Sequence, residues 1–475
     1  MMIIDFITLS PEFLLLLCLP VMFLVNRYRT SKTAKTFYTI AKIFVVLAAA
    51  DTIIFYNRSG LPAYWANNTY TTLYKLCTYA FALTWFFLSC KWFLNKNRSS
   101  LSYYTLGVCS LFSLMLMISA HNLLVLFAGL LGSFATQYLM IYLSDDDFDV
   151  VVIAKRYLQF AIILALMFAL GLGLIYEQTG SFDYDRVYNY FAALKTFSLI
   201  NILSYVFILI PLLFMLGLAP FHFWFAEVLS VCVLPISGYF TIIPVFAAYS
   251  ALVNLCLNVF FPMISFIKPA LVTFAFLSLL LGAISAIRET NIRKLFAFST
   301  LYHLGFIFAT LVSFNYNSVA ASFTYLLIYV LAMTGIYTVF FGFKSNGEYL
   351  YKLEEITGAF TQKPYISVAL LIFIVSMVGS PPMLGFLGKL DAVDNLIIEG
   401  RYWSVAIAMF ALLLLMTAYL DVIKAVFFDN RLRNFDRADK GIYICLFINI
   451  LIVLITILNP GFLMDKLDKL LTPVL

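Results

Sequence analysis

The sequence predicts an all-α, polytopic membrane protein of about fourteen transmembrane helices. Three observations predict it. Of 475 residues, 63% are hydrophobic and only 11% charged, where a soluble domain carries roughly a quarter charged residues. The apolar residues gather in stretches near the ~17–25 residues needed to cross ~30 Å of hydrocarbon. Within such stretches, 161–174 for example, polar and apolar residues do not alternate as they would in a membrane barrel. Lipid offers no partner for a backbone amide, so unbroken apolar stretches of this length become helices.

In chain order the spans fall at 11–26, 37–56, 73–94, 104–120, 122–143, 157–176, 199–219, 233–259, 268–286, 295–313, 317–343, 366–390, 403–428 and 441–460. The stretch 13–25 is followed by basic residues rather than a small-residue cleavage site, so no cleavable signal peptide is expected. Loops after odd-numbered spans hold Arg27, Arg29, Lys32, Lys35, Lys96, Arg98, Lys155, Arg156, Arg288, Arg293, Lys294, Lys344, Lys352, Lys363, Arg431, Arg433, Arg437 and Lys440. Those after even-numbered spans hold only Arg58, Arg186, Lys195, Lys268 and Arg401, with Lys466 and Lys469 in the tail. Basic loops stay on the negative side of a membrane, so both termini are expected on the positive side. A miscount by one span would scramble the asymmetry.

Two spans carry helix breakers. One is Met215-Leu216-Gly217-Leu218-Ala219-Pro220-Phe221-His222, in span seven. The other is Val378-Gly379-Ser380-Pro381-Pro382-Met383-Leu384-Gly385, in span twelve. Proline removes a backbone donor and clashes with the preceding turn. At membrane depth the freed carbonyls must be satisfied by protein or water. A Gly/Pro-broken span in each half is the mark of an inverted-repeat transporter with its ion path near the breaks. Simple kinks in structural helices are the other reading. Gly217, Pro220, Pro381 and Pro382 are the break positions.

Seven cysteines are scattered singly, with no CxxC or Cys/His cluster, which leaves zinc, iron–sulfur and haem-attachment readings without support. No Gly-rich phosphate loop or flavin fold is visible. The net charge of +6 lies in loops and reflects topology rather than nucleic-acid binding. Abundant Phe and Tyr suit an AT-rich genome such as a mitochondrial one.

The motifs now point to a family. Leu216-Gly217-Leu218-Ala219-Pro220-Phe221-His222-Phe223-Trp224 resembles the signature of chain 2, the N-type antiporter-like subunit, of respiratory complex I, the proton-pumping NADH:quinone oxidoreductase. Ser10-Pro11-Glu12-Phe13 looks like that family's start, and 122–130 is similar to its fifth span. The loop 175–181, the stretch 288–299 with His303-Leu304-Gly305-Phe306, and Pro381-Pro382-Met383-Leu384-Gly385-Phe386-Leu387-Gly388-Lys389 follow in family order.

The resemblance implies two inverted five-helix repeats, at 104–262 (spans 4–8) and 263–430 (spans 9–13), flanked by helices at 1–103 and a C-terminal helix and tail at 431–475. It implies a mitochondrial inner membrane, or alternatively a bacterial plasma membrane, and partners among the other membrane-arm subunits and membrane lipids, with no nucleic acid. No cofactor is expected on this chain; NADH, FMN, Fe–S clusters and ubiquinone belong on other subunits. The chain then acts as part of a proton-translocating NADH:ubiquinone reductase and holds no redox centre.

The family's proton path is a row of buried ionisable groups, since a charge at the bilayer centre is costly and persists where it pairs or carries an ion. Here the match is uneven. The family's fifth-span glutamate falls on Leu131 and its seventh-span lysine on Met215. No lysine or arginine occurs from 196 to 267, where the eighth-span lysine belongs. The twelfth-span lysine is retained as Lys389, and His303 matches a polar family position. Lys389 and His303 are therefore the candidate proton relay. A structural ion pair with Asp391 and a hydrogen-bonded core histidine are the alternatives. His222 and Glu227 fit capping after the first break, or closure of the outer mouth. Lys42, Asp51 and Lys75 read as packing or partner contacts, Asp421 and Lys424 as a local ion pair at i,i+3 spacing, and the aspartates at 145–149 as solvated. The expected function is a membrane-arm subunit whose own channel is impaired. The alternatives are an active subunit using rerouted residues and a stand-alone cation/proton antiporter.

Overall fold

A computed structural model of the chain describes residues 9–28, 34–58, 63–96, 100–145, 147–311, 313–430 and 433–458. Arg29, Lys32, Arg98, Asp146, Arg431, Lys466, Lys469 and the end of the last expected span lie outside these residues. The chain divides into two compact units, one of Met1–Leu216 with Val231–Ile267 and one of Gly217–Ser230 with Lys268–Pro473.

The first unit contains α1 (Ser10–Tyr28), α2 (Ala34–Ile54), α3 (Thr69–Lys96), α4 (Leu101–Ser119), α5 (Leu123–Tyr142), α6 (Phe148–Thr179), α7 (Tyr184–Ala193) and α8 (Leu199–Leu216). After α9 (Phe223–Val231), it resumes with α10 (Leu234–Asn258). α10 is the axis of this unit, 94% buried over its central stretch. It is apolar around its whole circumference, which is what a helix surrounded by other helices requires. α3, α4 and α8 pack around it. Trp85 of α3 fixes the approach: its Nε1 donates to the Pro235 carbonyl at 2.5 Å. At the head of α5, the Asn122 side chain accepts the Leu124 amide at 2.9 Å, which caps an otherwise unpaired donor.

The second unit holds most of α11 (Ile264–Ala286), then α12 (Ile292–Leu311), α13 (Tyr316–Gly342), a two-residue hairpin of β1 (Lys344–Ser345) and β2 (Glu348–Tyr349), α14 (Pro364–Val378), α15 (Leu384–Ile398), α16 (Tyr402–Phe427) and α17 (Lys440–Leu458). Its core is α12 and α13, in each of which 89% of an 18-residue stretch is buried, with α14, α15 and α17 against α13. α13 begins at a reciprocal cap between Asn315 and Ser318.

All fourteen expected spans are helical in the described residues. The count of helices long and apolar enough to cross a membrane is nevertheless twelve among those residues, or thirteen if the bent pair Leu353–Thr361 and Pro364–Val378 is one span. The difference has a local cause. Span twelve is cut into α14 and α15, each 15 residues, and the apolar part of α17 is short. The amphipathic α7 and the short α9 lie where no helix was expected.

Candidate functional site

The second break builds the site. α14 ends at Gly379, whose φ of +79° is a conformation that L side chains rarely adopt. A Cβ there would also stand 2.7 Å from Lys389 Cδ. The chain then turns through a cis Pro381–Pro382 bond and restarts as α15. A helix that stops leaves its last carbonyls without partners and with partial negative charge. Lys389 answers both. Its ammonium donates to the Met377 carbonyl at 2.9 Å and the Val378 carbonyl at 2.8 Å. The residue is 5% exposed, and the Tyr302 ring lies 5.7 Å from Nζ, within cation–π range. Lys389 is thus bonded to the broken helix itself.

One residue from Tyr302, His303 is fully enclosed. Its Nδ1 meets the Tyr325 hydroxyl at 2.7 Å and its Nε2 meets the Tyr419 hydroxyl at 3.1 Å. Tyr419 in turn bonds the Ser299 hydroxyl. Tyr325, His303, Tyr419 and Ser299 thus form an unbroken hydrogen-bonded row from α13 through α12 to α16 and back to α12. A hydroxyl can donate and accept at once, and neutral imidazole has one donor and one acceptor nitrogen. The row can therefore reverse its polarity and pass a proton.

A polar cavity of about 300 Å³ lies between the start of α13 and the end of α15, lined by Asn317, Thr324, Asp391, Asp394 and Asn395 among others. At ~30 Å³ per molecule this has room for several waters, with polar partners for them. Thr324 adjoins Tyr325, and Asp391 follows Lys389 by two residues.

The first unit is different. Met215 is buried near the end of α8, and Leu131 on α5 is 40% exposed, so neither offers a titratable group. α10 contributes Tyr239, Tyr249, Ser250 and Asn254 to the interior but no cation. The first break shares the outline of the second, with Gly217 at φ +71° and a cis Ala219–Pro220 bond. There the Ala219 amide donates to Ser278 Oγ at 2.9 Å, and the His222 carbonyl accepts the Phe225 amide at 3.0 Å, which starts α9.

Two expectations from the sequence change. Lys75 is paired inside the unit, its ammonium 2.6 Å from the Glu12 carboxylate with both side chains buried, and Asp51 accepts from the Ser10 hydroxyl. Asp421 and Lys424 do not form an ion pair among the described residues; the Lys424 carbonyl instead ends α16 by accepting the Phe428 and Asp429 amides at 2.9 and 3.1 Å. Tyr325, Tyr419, Ser299 and Glu12 were not singled out for roles in the sequence. Their partners lie 22 to 120 residues away, and only Glu12 and Ser299 sat in stretches that carried the resemblance.

Known proteins agree with this architecture. Residues 120–415 match the family model described as NADH:quinone oxidoreductase/Mrp antiporter, TM. The chain is 25% identical over 471 residues to the NADH-quinone oxidoreductase subunit N of Thioalkalivibrio sulfidiphilus, covering 97% of each. Its fold resembles a chain of respiratory complex I from Thermus thermophilus, with a TM-score of 0.81, 21% identity and 96% and 99% of the two chains covered. It equally resembles a chain of the Mrp complex from Dietzia sp., with a TM-score of 0.85, 14% identity and 98% and 97% covered. The model match spans more than half the chain and contains both breaks, Lys389 and His303, so the chain belongs to the NADH:quinone oxidoreductase/Mrp antiporter transmembrane family.

Proposed function

We propose that this chain is an antiporter-like membrane-arm subunit of a proton-translocating NADH:quinone oxidoreductase, with a proton relay retained in its second unit and its own channel impaired in the first. The observation that carries the reading is the buried Lys389 ammonium, held by two carbonyls that the break of span twelve sets free. Beside it, the row Tyr325–His303–Tyr419–Ser299 and the polar cavity at Asp391 and Asp394 supply a local path. Lysine suits such a relay because its proton affinity responds strongly to burial. The first unit has Leu131 and Met215 at the family's ionisable positions and no cation in α10, so the relay lacks the family's supply.

We read 104–262 and 263–430 as the two five-helix repeats. NADH oxidation, with its FMN and Fe–S clusters, and ubiquinone reduction fall to other subunits, and the chain takes part through assembly with them. The bacterial sources of the relatives favour a plasma membrane over the mitochondrial inner membrane, with the basic loops on its negative side.

Two measurements test this. Mass spectrometry of the native complex should find the chain with the NADH-oxidising subunits; a chain that migrates without them would favour the stand-alone antiporter. In the reconstituted complex, Lys389→Ala should leave the ratio of protons moved to NADH oxidised unchanged. A fall in that ratio would show a live channel supplied by rerouted residues.

A further inference from the structure

In the second unit α17 packs on α13 and leaves a groove against the start of α14. The groove has a volume of about 700 Å³, inside the range of pockets that enclose small ligands. Phe360, Tyr365 and Val368 form one wall, and Tyr443, Phe447 and Ile450 the other. The last three recur at i, i+4 and i+7 and form one stripe of α17. Followed toward the helix start, that stripe reaches Lys440, the first residue of α17. Lys440 and Arg437 are both exposed. Neither takes part in an ion pair among the described residues.

The nearby acids are mostly engaged. The Asp436 carboxylate accepts the Asn346 and Gly347 amides at 3.2 and 2.7 Å, and Glu355 faces Arg433 at 3.6 Å. Asp439 alone lies between the two cations in sequence. α17 has no acidic residue in its first turn. A lysine there opposes the helix dipole, although Asp439 stands just before it and its carbonyl accepts the Ile442 amide at 3.0 Å. This end of the groove is thus built for an anion, and the rest for hydrocarbon. Tyr365, 79% exposed at the start of α14, is a residue type that collects at the membrane–water interface.

We propose that the groove binds an anionic phospholipid, with an acyl chain between α14 and α17 and its phosphate on Arg437 and Lys440. Basic pockets beside membrane helices attract such lipids, and these cations belong to the basic loops of the sequence. A neutral phospholipid would leave the two cations unanswered, and an apolar protein helix would leave them buried without partners.

The test uses the native membrane complex containing the chain, in phosphatidylcholine vesicles with and without an anionic photoreactive phospholipid. On illumination the anionic lipid should label peptides from 360–369 and 443–450. Retention of anionic lipid, counted by native mass spectrometry, should weaken about tenfold in R437Q/K440Q with phosphatidylcholine retention unchanged. V368W should lower anionic retention by filling the groove while leaving the cations in place. Should a variant fail to fold, labelling of the unaltered complex still decides. The absence of label on both segments, equal retention in the wild type and both variants, or crosslinking of these segments to another protein instead of lipid would each overturn the proposal.

Discussion

The two span breaks have the same outline and different contents. Each joins a left-handed glycine to a cis X–Pro bond: Gly217 with Ala219–Pro220, and Gly379 with Pro381–Pro382. At the second, a lysine from the next helix returns to the freed carbonyls. At the first, Met215, where the resemblance implies a lysine, is a buried thioether. The comparison separates scaffold from chemistry. The interruption of a span is preserved by backbone requirements alone, while the ionisable group it can host is a separate feature that sequence change can remove.

The largest effect should come from a glycine of the second break. A Cβ on Gly385 would stand 1.7 Å from the Ser376 carbonyl oxygen, against backbone rather than a flexible side chain. A Cβ on Gly217 would meet the Phe225 side chain first, at 3.1 Å. Gly385→Ala should therefore cost more than the ~1–3 kcal/mol of ordinary overpacking. Gly217→Ala should cost about 1–2 kcal/mol, mainly for its positive φ. Thermal unfolding of the detergent-purified complex would compare them. Equal losses would mean that the second break is no more tightly built than the first.

Met215→Lys tests the emptied position directly. It places an ammonium in an interior that has no acidic partner assigned to it, so a loss of about 3–5 kcal/mol is expected, the scale for an uncompensated buried charge. An unchanged unfolding temperature would show that the first unit still has a place for the cation. The contrast between the breaks would then be one of side chains only.

Lys389→Met should cost less. It strands the Met377 and Val378 carbonyls, at about 1–3 kcal/mol each, but also removes the burden of burying a charge. The net expectation is a destabilisation of about 2 kcal/mol in the same unfolding assay. Hydrogen exchange should rise in 375–389 before the rest of the unit. Uniform exchange would mean that Lys389 does not hold the break.

How much of this was legible in the sequence follows the range of the interaction. Helices were legible because each is fixed by its own run of apolar residues, and the breaks because Gly and Pro act on their own backbone. The split of span twelve and the short apolar part of α17 leave twelve or thirteen helices long and apolar enough to cross among the described residues, since a broken span falls short of the length that one crossing helix needs. α7 escaped because its mean hydropathy is low and it lies along a loop. Lys389 and His303 were legible through their motifs, but not what they hold. A lysine bonded to carbonyls 11 and 12 residues back, and a histidine between tyrosines 22 and 116 residues away, are products of tertiary packing. The same limit left Lys75 open between a packing and a partner contact, which Glu12 of another helix of the same unit decides in favour of packing.

The smallest effect tests the hydrogen-bonded row. Tyr325→Phe removes one hydroxyl from His303 Nδ1 and leaves the ring in place, so only ~0.5–1.5 kcal/mol should be lost. Tyr419→Phe removes the bonds to both His303 and Ser299 and should cost somewhat more by the same measure. If the row is a retained relay without supply, neither variant should change the ratio of protons moved to NADH oxidised in reconstituted vesicles. A fall in both variants, with unfolding shifted no further than expected, would mean that protons pass along this row during turnover. The second break would then be doing with Lys389 and His303 what the first has no lysine to do, and the impairment would have to be confined to the region around Met215.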